Sequence, residues 1–409
     1  MLVILVPVVF GLMGFAVDLG RIYMIRGELK TAANSIALAA AAQLAGTDAS
    51  LDDAQAAAQL AAREGGGFAN RYDYGGRPIG EATGNLNSEI QEAAFFETVE
   101  AATGTGDGGG GEAGGGTLAR HVRIRIQSDA PLLFWSFLSL GLDRRTPVLV
   151  EAVAGHSAPL CTACGDVAPI AVAALDPGDD TEFGFVPGTL YTLGYQCSAL
   201  PIPQPLPGSI QRLPFLLINR LNEEAELFPD EATQTFRIGA GGLPATTNEA
   251  VSCLTVNAVE GIWASAAALP CNMNRVPTQI QSLLCGLGMR LESGLLAACE
   301  NIAEVAAAAA PYAPDSNVEN VETYEAYTGN RRRVLTIPIV LELTDPQAMT
   351  VLGLRQFLLQ PQPNTTNLNP NDENGRFLVT YIGSTVPLRQ GRFSGCTVTT
   401  GPGKVVLHR

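Results

Sequence analysis

The sequence predicts an α+β fold in which a long N-terminal hydrophobic α-helix precedes β-rich extracytoplasmic domains, built of antiparallel sheets with a helical insert. Three observations support this prediction: the first 17 residues carry no charge, short apolar runs later alternate with Gly and Pro turns, and all eight cysteines follow the opening segment. With 46% hydrophobic and 16% charged residues, the chain is too apolar for disorder, and 44 Gly with 26 Pro are too many for an all-helical protein.

Composition divides the chain into three regions. Residues 1–46 are the N-terminal hydrophobic helix, and residues 47–157 are a short helix plus a first β region with a Gly-rich hairpin tip. Residues 158–409 are a second β-rich domain with a helical insert at about 250–312. A length of 409 residues allows two or three domains and is sufficient to bury a core.

The opening helix is predicted to be excluded from water. At about 1.5 Å per residue, the uncharged run reaches roughly 25 Å, close to the lower limit for crossing a bilayer. Arg21, Arg26 and Lys30 follow this run, and Gly46 supplies a helix stop. The pattern indicates either a membrane anchor or a helix in the core of a filament.

A second helix is expected directly after the first. Ser50 and Asp53 have the spacing of a capping box, and LDDAQAAAQLAARE runs from there to three consecutive glycines at residues 65–67. Because helices of this length are marginal alone, its alanine face should pack on a neighbouring domain.

Strands are predicted around the alternating sequence HVRIRIQ, residues 121–127, with residues 90–99 and 148–153 as partners. The glycine tract at residues 104–116 indicates a flexible hairpin tip. The tract also matches the G-x-G-x-x-G pattern of dinucleotide-binding proteins. This match is weak evidence for dinucleotide binding without a preceding strand and a following helix.

The segment PLLFWSFLSLG, residues 131–141, is a second apolar feature and is too short to span a bilayer. A core helix is the favoured interpretation, with a lipid-dipping loop or a contact surface as alternatives. Exposure of Phe134, Trp135 and Phe137 would indicate a partner site.

Residues 158–250 are rich in turns and predict β structure with long loops. Asp176, Asp179, Asp180 and Glu182 crowd four carboxylates together, which indicates a solvated acidic turn more than a calcium site, since EF-hand spacing is absent.

The pattern between residues 250 and 312 is helical, and the runs at residues 331–343 and 376–388 predict two long strands of one closing sheet. Cys285 and Cys299 are about four turns apart on a single straight helix, so each is expected to bond elsewhere.

The even number of cysteines predicts as many as four disulfides outside the cytoplasm. The Cys161/Cys164 pair allows a local bridge or a redox dithiol, although no thioredoxin-like context surrounds it. Zinc is disfavoured because only three histidines are present. The disulfide candidates are Cys161, Cys164, Cys197, Cys253, Cys271, Cys285, Cys299 and Cys396.

No catalytic constellation is recognisable, and no catalytic residue, metal ligand or cofactor is predicted. The sequence has no GxxxxGK[ST], HExxH or GxSxG motif, so the chain is expected to be non-enzymatic, with an exported hydrolase as a distant alternative. The net charge of -15 argues against a nucleic-acid partner.

The opening helix resembles the N-terminal segment of the TadE/TadG-like Flp (tight adherence) pilus-assembly family. The family pattern V-D-x-G-R-x-Y is matched by Val17, Asp18, Gly20, Arg21 and Tyr23. A later Ala-rich block also fits, with Lys30 in place of the usual Gln and Asn34 in place of the usual Asp. Residues proposed for the membrane or filament-core helix are Pro7, Phe10, Gly14, Phe15, Ala16, Asp18, Gly20, Arg21 and Tyr23.

The resemblance implies a structural or assembly component of a type IV pilus-like appendage, pseudopilin-like and involved in adhesion at the cell surface. Its partners would be the membrane, or identical subunits, through the N-terminal helix, together with other pilus-system proteins. It would reside in the bacterial cell envelope, with its body outside the cytoplasm. The alternative is a homo-oligomeric repeating subunit of an extracellular filament, with the N-terminal helices bundled in the core.

Overall fold

A computed structural model gives the architecture of most of the chain. The residues it describes are 2–64, 79, 88–104, 111–135, 145–164, 167–195, 204–218, 232–241, 253–256, 278–292, 294–316, 318, 320–344, 348–363, 365, 367–372, 374–383, 386–389, 391–393, 396 and 398–408. The fold is α+β, with a long N-terminal helix and a β-rich body in which antiparallel pairing predominates.

The helices, in chain order, are α1 (Leu2–Ala41), α2 (Ser50–Glu64), α3 (Val99–Thr103), α4 (Ala232–Gly239), α5 (Thr278–Gly288) and α6 (Ala303–Ala308), with a short 3₁₀ helix at Ala297–Cys299. The strands are β1 (Ser88–Phe96), β2 (His121–Pro131), β3 (Arg145–His156), β4 (Thr162–Cys164), β5 (Ile170–Ala173), β6 (Leu190–Tyr195), β7 (Arg212–Leu217), β8 (Cys253–Thr255), β9 (Val334–Val340), β10 (Val351–Gln360), β11 (Phe377–Gly383), β12 (Gly391–Arg392) and β13 (Val405–Leu407).

The chain forms two compact units. Unit 1 contains Met1–His156 together with Val405–Arg409, and unit 2 contains Ser157–Lys404. Unit 1 is therefore discontinuous in sequence, because its last strand follows the whole of unit 2.

Unit 1 is a four-stranded antiparallel sheet of order β1-β2-β3-β13. The predicted strand at residues 121–127 is confirmed, and so are its two partners in β1 and β3. Every second residue of β2 points into the core, including Val122, Ile124 and Ile126, because a strand with one solvated face alternates its side chains.

Helix α1 packs its second half on this sheet. Apolar residues three or four apart share one face of the helix, and the buried ones contact β3, β2 and α2. They are Ile25, Leu29, Ala32, Ala33, Ile36, Ala37, Ala40 and Ala41. Across the described part of the chain, no helix combines the length and hydropathy needed to cross a membrane.

The ends of the first two helices differ in detail from the prediction. Helix α1 ends at Ala41, before the expected position near residue 45, because the last turn tightens and the N–H groups of Gln43 and Leu44 bond three residues back. Helix α2 begins at Ser50, but the predicted capping box is wrong: the Ser50 hydroxyl donates to the carbonyls of Thr47 and Gly116.

The connection from β1 to β2 is more ordered than a flexible hairpin tip over its described parts. Thr98 caps the short helix α3, and Gly104 ends it with φ 69°, a left-handed conformation that favours glycine. Residues 111–120 return along the sheet, where the Ala113 N–H donates to the carbonyl of Phe95. Residues 105–110 lie outside the described part.

Unit 2 is built around a closed six-stranded barrel of order β10-β11-β6-β7-β5-β9. Its pairs are antiparallel except β5 with β9 and β6 with β7. Strands β9 and β11 lie in the two runs predicted as long strands, but β10, which pairs with both, was not predicted. Nearly every β10 residue is buried, so its sequence lacks the alternation that marks a half-exposed strand.

The helical insert corrects one prediction about cysteines. Cys285 and Cys299 are bonded to each other, with Cα atoms 5.9 Å apart. The single straight helix assumed for this segment is wrong: α5 ends at Gly288, and the chain turns back before the 3₁₀ helix that carries Cys299.

The remaining cysteines show a second bridge, which joins residues far apart in sequence. Cys161 bonds Cys396 and not Cys164, which removes the local-bridge and redox-dithiol interpretations of the C-x-x-C pair. Cys253 is also disulfide-bonded, its Cα lies opposite that of Cys164 in the β4–β8 register, and no described cysteine is free. Cys197 and Cys271 lie outside the described residues.

A pH-dependent stability is expected from His121 on β2. Its ring lies 5.1 Å from the ring of His408, just beyond β13, and burial with this neighbour lowers its pKa to about 4. Between this pKa and the ordinary value of 6.5, the unfolded chain binds a proton that the folded chain does not, so stability falls as the pH falls through that window.

Allowing for partial solvent screening, we expect a loss of about 2 kcal/mol for His121 on acidification. Urea unfolding of the full-length protein at several pH values measures it. The His121→Phe variant should lose most of this pH dependence, and an unchanged slope in the variant would contradict the assignment.

Candidate functional site

The N-terminal part of α1 leaves its apolar side chains uncovered. We call residues 2–24 the arm; its side chains are described from Val9 onward. Phe10 and Tyr23 are each 66% exposed. The other large exposed residues of the arm are Val9, Leu12, Met13, Phe15, Val17, Leu19 and Met24. An apolar surface that surrounds most of a helix is typical of a helix that works outside water.

One face of the arm contacts the rest of unit 1 through Asp18. The Asp18 carboxylate is only 4% exposed and accepts three backbone hydrogen bonds. The donors are the N–H groups of Leu133 at 2.9 Å, Phe134 at 2.9 Å and Trp135 at 2.8 Å. These residues follow the end of β2 after Leu132, and the backbone becomes helical at Phe134 and Trp135. The carboxylate therefore satisfies N–H groups that a first helical turn leaves unpaired.

Gly14 lies one turn before Asp18 and is shaped for the same contact. A Cβ atom placed on Gly14 would lie 2.7 Å from the Cβ and Cγ atoms of Phe134, closer than real side chains approach. The Phe134 ring therefore packs directly on the helix backbone at this glycine. Together, Gly14 and Asp18 fix the position of residues 133–135, which we call the aromatic segment, beside the arm.

The side chains of the aromatic segment remain exposed although its backbone is fixed. Leu133 is 54%, Phe134 43% and Trp135 48% exposed. The favoured interpretation of this region as a core helix is therefore wrong for these residues, while the contact-surface and lipid-dipping alternatives remain. Phe137 lies outside the described residues.

The carboxylate of Asp18 is held in its charged form. Burial acts to raise the pKa of Asp18, but the N–H groups of Trp135, Leu133 and Phe134 and the charge of Arg21 outweigh it and lower the pKa below 3.8. A carboxylate with three N–H donors carries its charge without needing water.

Most of the other helix residues singled out from the sequence are solvent-exposed. Phe15, Ala16 and Gly20 are exposed, as are Phe10 and Tyr23. Arg21 is half-buried, and Pro7 has its backbone in α1 but its side chain outside the described part. The structure thus brings Gly14 and Asp18 together with the aromatic segment, and leaves Phe10, Phe15, Ala16, Gly20 and Tyr23 exposed.

Carboxylates of the acidic turn in unit 2 accept hydrogen bonds from the protein itself. Asp179 accepts from the N–H groups of Gly184, Glu182 and Thr181, which lower its pKa. Glu182 accepts from the Tyr381 hydroxyl. Among the described residues, no group of three or more His, Cys, Asp or Glu side chains is arranged to hold a metal ion.

Substitution of Asp18 tests the contact between the arm and the aromatic segment. Asp18→Ala should cost about 2 kcal/mol locally, because three N–H groups lose a charged acceptor. Hydrogen exchange of the amides of Leu133, Phe134 and Trp135 should accelerate roughly 30-fold. Because the folded pKa of Asp18 is lowered, its contribution is complete above the ordinary pKa of 3.8 and is lost as the pH falls through the folded value.

Asp52→Ala, an exposed carboxylate on α2, serves as the control and should leave these amides unchanged. Equal exchange rates in the Asp18→Ala protein and the parent would show that the carboxylate does not hold the segment.

Gly14 and Gly11 provide a matched pair on one helix. Gly14→Ala should destabilise the contact by about 1–2 kcal/mol, because overpacking against Phe134 exceeds the gain in helix propensity. A Cβ atom placed on Gly11 would meet nothing within 4 Å, so Gly11→Ala should stabilise the helix by about 0.5–1 kcal/mol. Hydrogen exchange at Phe134 and Trp135 measures both, and the same sign for both variants would contradict the packing.

Comparison with known families supports the interpretation of the helix. Residues 1–43 match the family described as Putative Flp pilus-assembly TadE/G-like. This match covers α1 and contains both Gly14 and Asp18. Neither the search of curated proteins nor the search of solved structures gave a match.

Proposed function

We propose that this protein is a non-enzymatic assembly component of a Tad/Flp-type pilus system, held in an apolar phase by the arm of α1. The match of residues 1–43 to the TadE/G-like family suggests a role in pilus assembly and an association with the cell envelope and other pilus-system proteins. The observation that carries the proposal is the apolar surface of the arm, which unit 1 leaves uncovered from Val9 to Met24.

Two further features support this placement. The second half of α1 is packed on the sheet of unit 1, so the arm is a rigid extension of a folded body. The disulfides Cys161–Cys396 and Cys285–Cys299 favour an oxidising compartment, which supports a body outside the cytoplasm. The proposal therefore has the arm in an apolar phase of the cell envelope and the body exposed to the exterior.

A repeating filament subunit is the second candidate function. Ala16 and Gly20 are exposed and four residues apart, and a Cβ on Gly20 or Gly27 would meet nothing within 4 Å. Small residues that the chain itself does not use for packing allow identical helices to approach closely.

Complementation of a piliated strain that lacks this gene tests the proposal. The variant Phe10→Ser/Met13→Ser/Phe15→Ser should leave the protein in the soluble fraction and fail to restore surface filaments. The control Leu60→Ser/Leu118→Ser changes exposed apolar residues elsewhere in unit 1 and should restore them. Normal filaments with the triple variant would overturn the proposal.

The two candidates differ in where the protein is found. Sheared cells are fractionated and imaged by negative stain, and the N-terminus of the mature protein is sequenced. Protein that pellets with membranes favours the anchored component, whereas protein that forms the body of sheared fibres favours the subunit. In the second case, Gly20→Leu should abolish fibres, while the conservative control Leu12→Met should not.

A further inference from the structure

We propose that the aromatic segment, together with Tyr23 and Arg21 of the arm, is a membrane-contacting collar that lies among the headgroups of an anionic phospholipid bilayer. This inference rests on the proposed function and names the medium that the collar contacts. It differs from simple anchoring, because it assigns a lipid contact to residues far from the arm in sequence.

The first argument is that the aromatic segment is exposed and fixed at once. Its three N–H groups are bonded to Asp18, and Phe134 is seated on Gly14, so the exposed side chains cannot turn into the core without breaking these contacts. Consecutive Leu, Phe and Trp side chains held in this way enlarge the apolar surface of the arm. Such a surface needs a partner that is not water.

The second argument is the level at which the aromatic residues lie. Trp135 is bonded to Asp18, where the uncharged part of α1 ends, and Tyr23 lies five residues further, about 7–8 Å along the helix. Trp and Tyr prefer the boundary between hydrocarbon and water, where the ring is apolar and the N–H or O–H group finds a polar partner. Along the axis of α1, the uncharged residues come first, followed by the level of Asp18 with Trp135 and then by Tyr23.

The third argument concerns the single carboxylate at this level. An unpaired carboxylate at the edge of the hydrocarbon would be costly, but Asp18 is already hydrogen-bonded by three donors of its own chain. The boundary region of the arm can therefore approach lipid without stripping water from an unsatisfied charge.

The fourth argument is charge complementarity, and it favours lipid over a second copy of the chain. Between residues 9 and 27, the charged residues of α1 are Asp18, Arg21 and Arg26. The Asp18 carboxylate is buried, so the accessible charge at this level is positive and suits anionic phosphates. Identical helices packed in register would bring equal arginines together, which costs energy.

Depth-dependent quenching of Trp135 tests the proposal. The chain has two tryptophans, so Trp263→Phe makes Trp135 the single reporter. The full-length protein is reconstituted in phosphatidylcholine–phosphatidylglycerol vesicles that carry bromine either near the top of the acyl chains or near the bilayer centre. We expect a loss of Trp135 emission that is larger with the shallow bromines, and a smaller loss in the Arg21→Gln/Arg26→Gln variant.

A matched control places the reporter elsewhere in unit 1. Leu118→Trp in a Trp135→Phe/Trp263→Phe background puts an exposed indole before the opposite end of β2, and it should not be quenched at either depth. If Trp263→Phe does not fold, the difference in quenching between the parent protein and Trp135→Phe gives the same information.

The outcomes separate this inference from the proposed function. If the protein binds vesicles but bromine at neither depth quenches Trp135, the collar is overturned and the anchored arm stands. The same conclusion holds if the aromatic segment instead contacts a second copy of the chain. Protein that remains in the aqueous phase overturns the anchored arm and the collar together. Quenching by the shallow bromines, with the control unquenched, supports the collar.

Discussion

Replacing Arg355 with methionine is expected to destabilise unit 2 by about 3–5 kcal/mol. Arg355 is fully buried at the barrel strand β10 and lies 4.4 Å from the ring centroid of Phe183. Its guanidinium donates to the carbonyls of Leu354 at 2.7 Å and Thr181 at 2.5 Å, and to the hydroxyl of Thr400 at 2.6 Å. One side chain therefore joins β10 to the acidic turn and to the chain near residue 400.

The large effect follows from what the substitution leaves behind. Methionine fills part of the volume but donates no hydrogen bonds, so the carbonyls of Leu354 and Thr181 each lose a charged donor. Glu182 also loses a cation whose Nε lies 4.0 Å from its carboxylate. Urea unfolding of the full-length protein, followed by hydrogen exchange at β9, β10 and β11, measures the loss.

Arg392→Met is the matched control for this substitution. Arg392 is exposed, so its replacement should change stability by no more than about 0.5 kcal/mol. Similar effects for the two arginines would refute the structural role given to Arg355.

Removal of the Cys161–Cys396 disulfide is the second large effect, at about 4–5 kcal/mol. The bridge joins residues 235 apart in sequence and lies beside the pair of strands β4 and β12. In the chain-entropy account, a cross-link that closes a long loop removes more freedom from the unfolded chain than one that closes a short loop.

The Cys285–Cys299 bridge provides the comparison within the same unit. Its residues are 14 apart, so the double variant Cys285→Ala/Cys299→Ala should lose about 3 kcal/mol, less than Cys161→Ala/Cys396→Ala. Denaturant midpoints of the two double variants, measured without reductant, test the order. A reversed order would contradict the entropic explanation for this protein.

Local patterns predicted the elements that have one solvated face. The alternation in residues 121–127 located β2, and the glycines after Glu64 located the end of α2, because each signal depends only on neighbouring residues. The barrel strand β10 was harder to predict. It is buried almost throughout and contains the polar residues Arg355, Gln356 and Gln360 at buried positions. Its sequence therefore shows neither the alternation of a half-exposed strand nor a continuous apolar run.

Only the helix side of the contact between the arm and the aromatic segment could be predicted from the sequence. Asp18 and Gly14 were recognised as helix residues that matter, but their partners lie more than 100 residues later. An aspartate inside an apolar helix was the available signal, since a buried carboxylate requires donors. The sequence does not show which backbone N–H groups supply them, because that depends on where β2 ends in space.

The prediction that Cys285 and Cys299 bond elsewhere was wrong for a similar reason. The distance between the two cysteines was calculated for a straight helix, but the helix ends at Gly288, so that calculation does not apply. A glycine near the middle of a helical pattern is also compatible with a continuous helix, so the turn could not be inferred from it alone.

The placement of β13 has a consequence for how the protein is made. A chain synthesised from its N-terminus exposes the outer edge of β3 until the whole of Ser157–Lys404 has been produced and Val405–Leu407 can pair with it. During this interval the nascent polypeptide carries an unpaired strand edge next to an apolar helix, and both features favour aggregation. This edge of the sheet therefore gains its pairing partner only at the end of synthesis, when β13 is available.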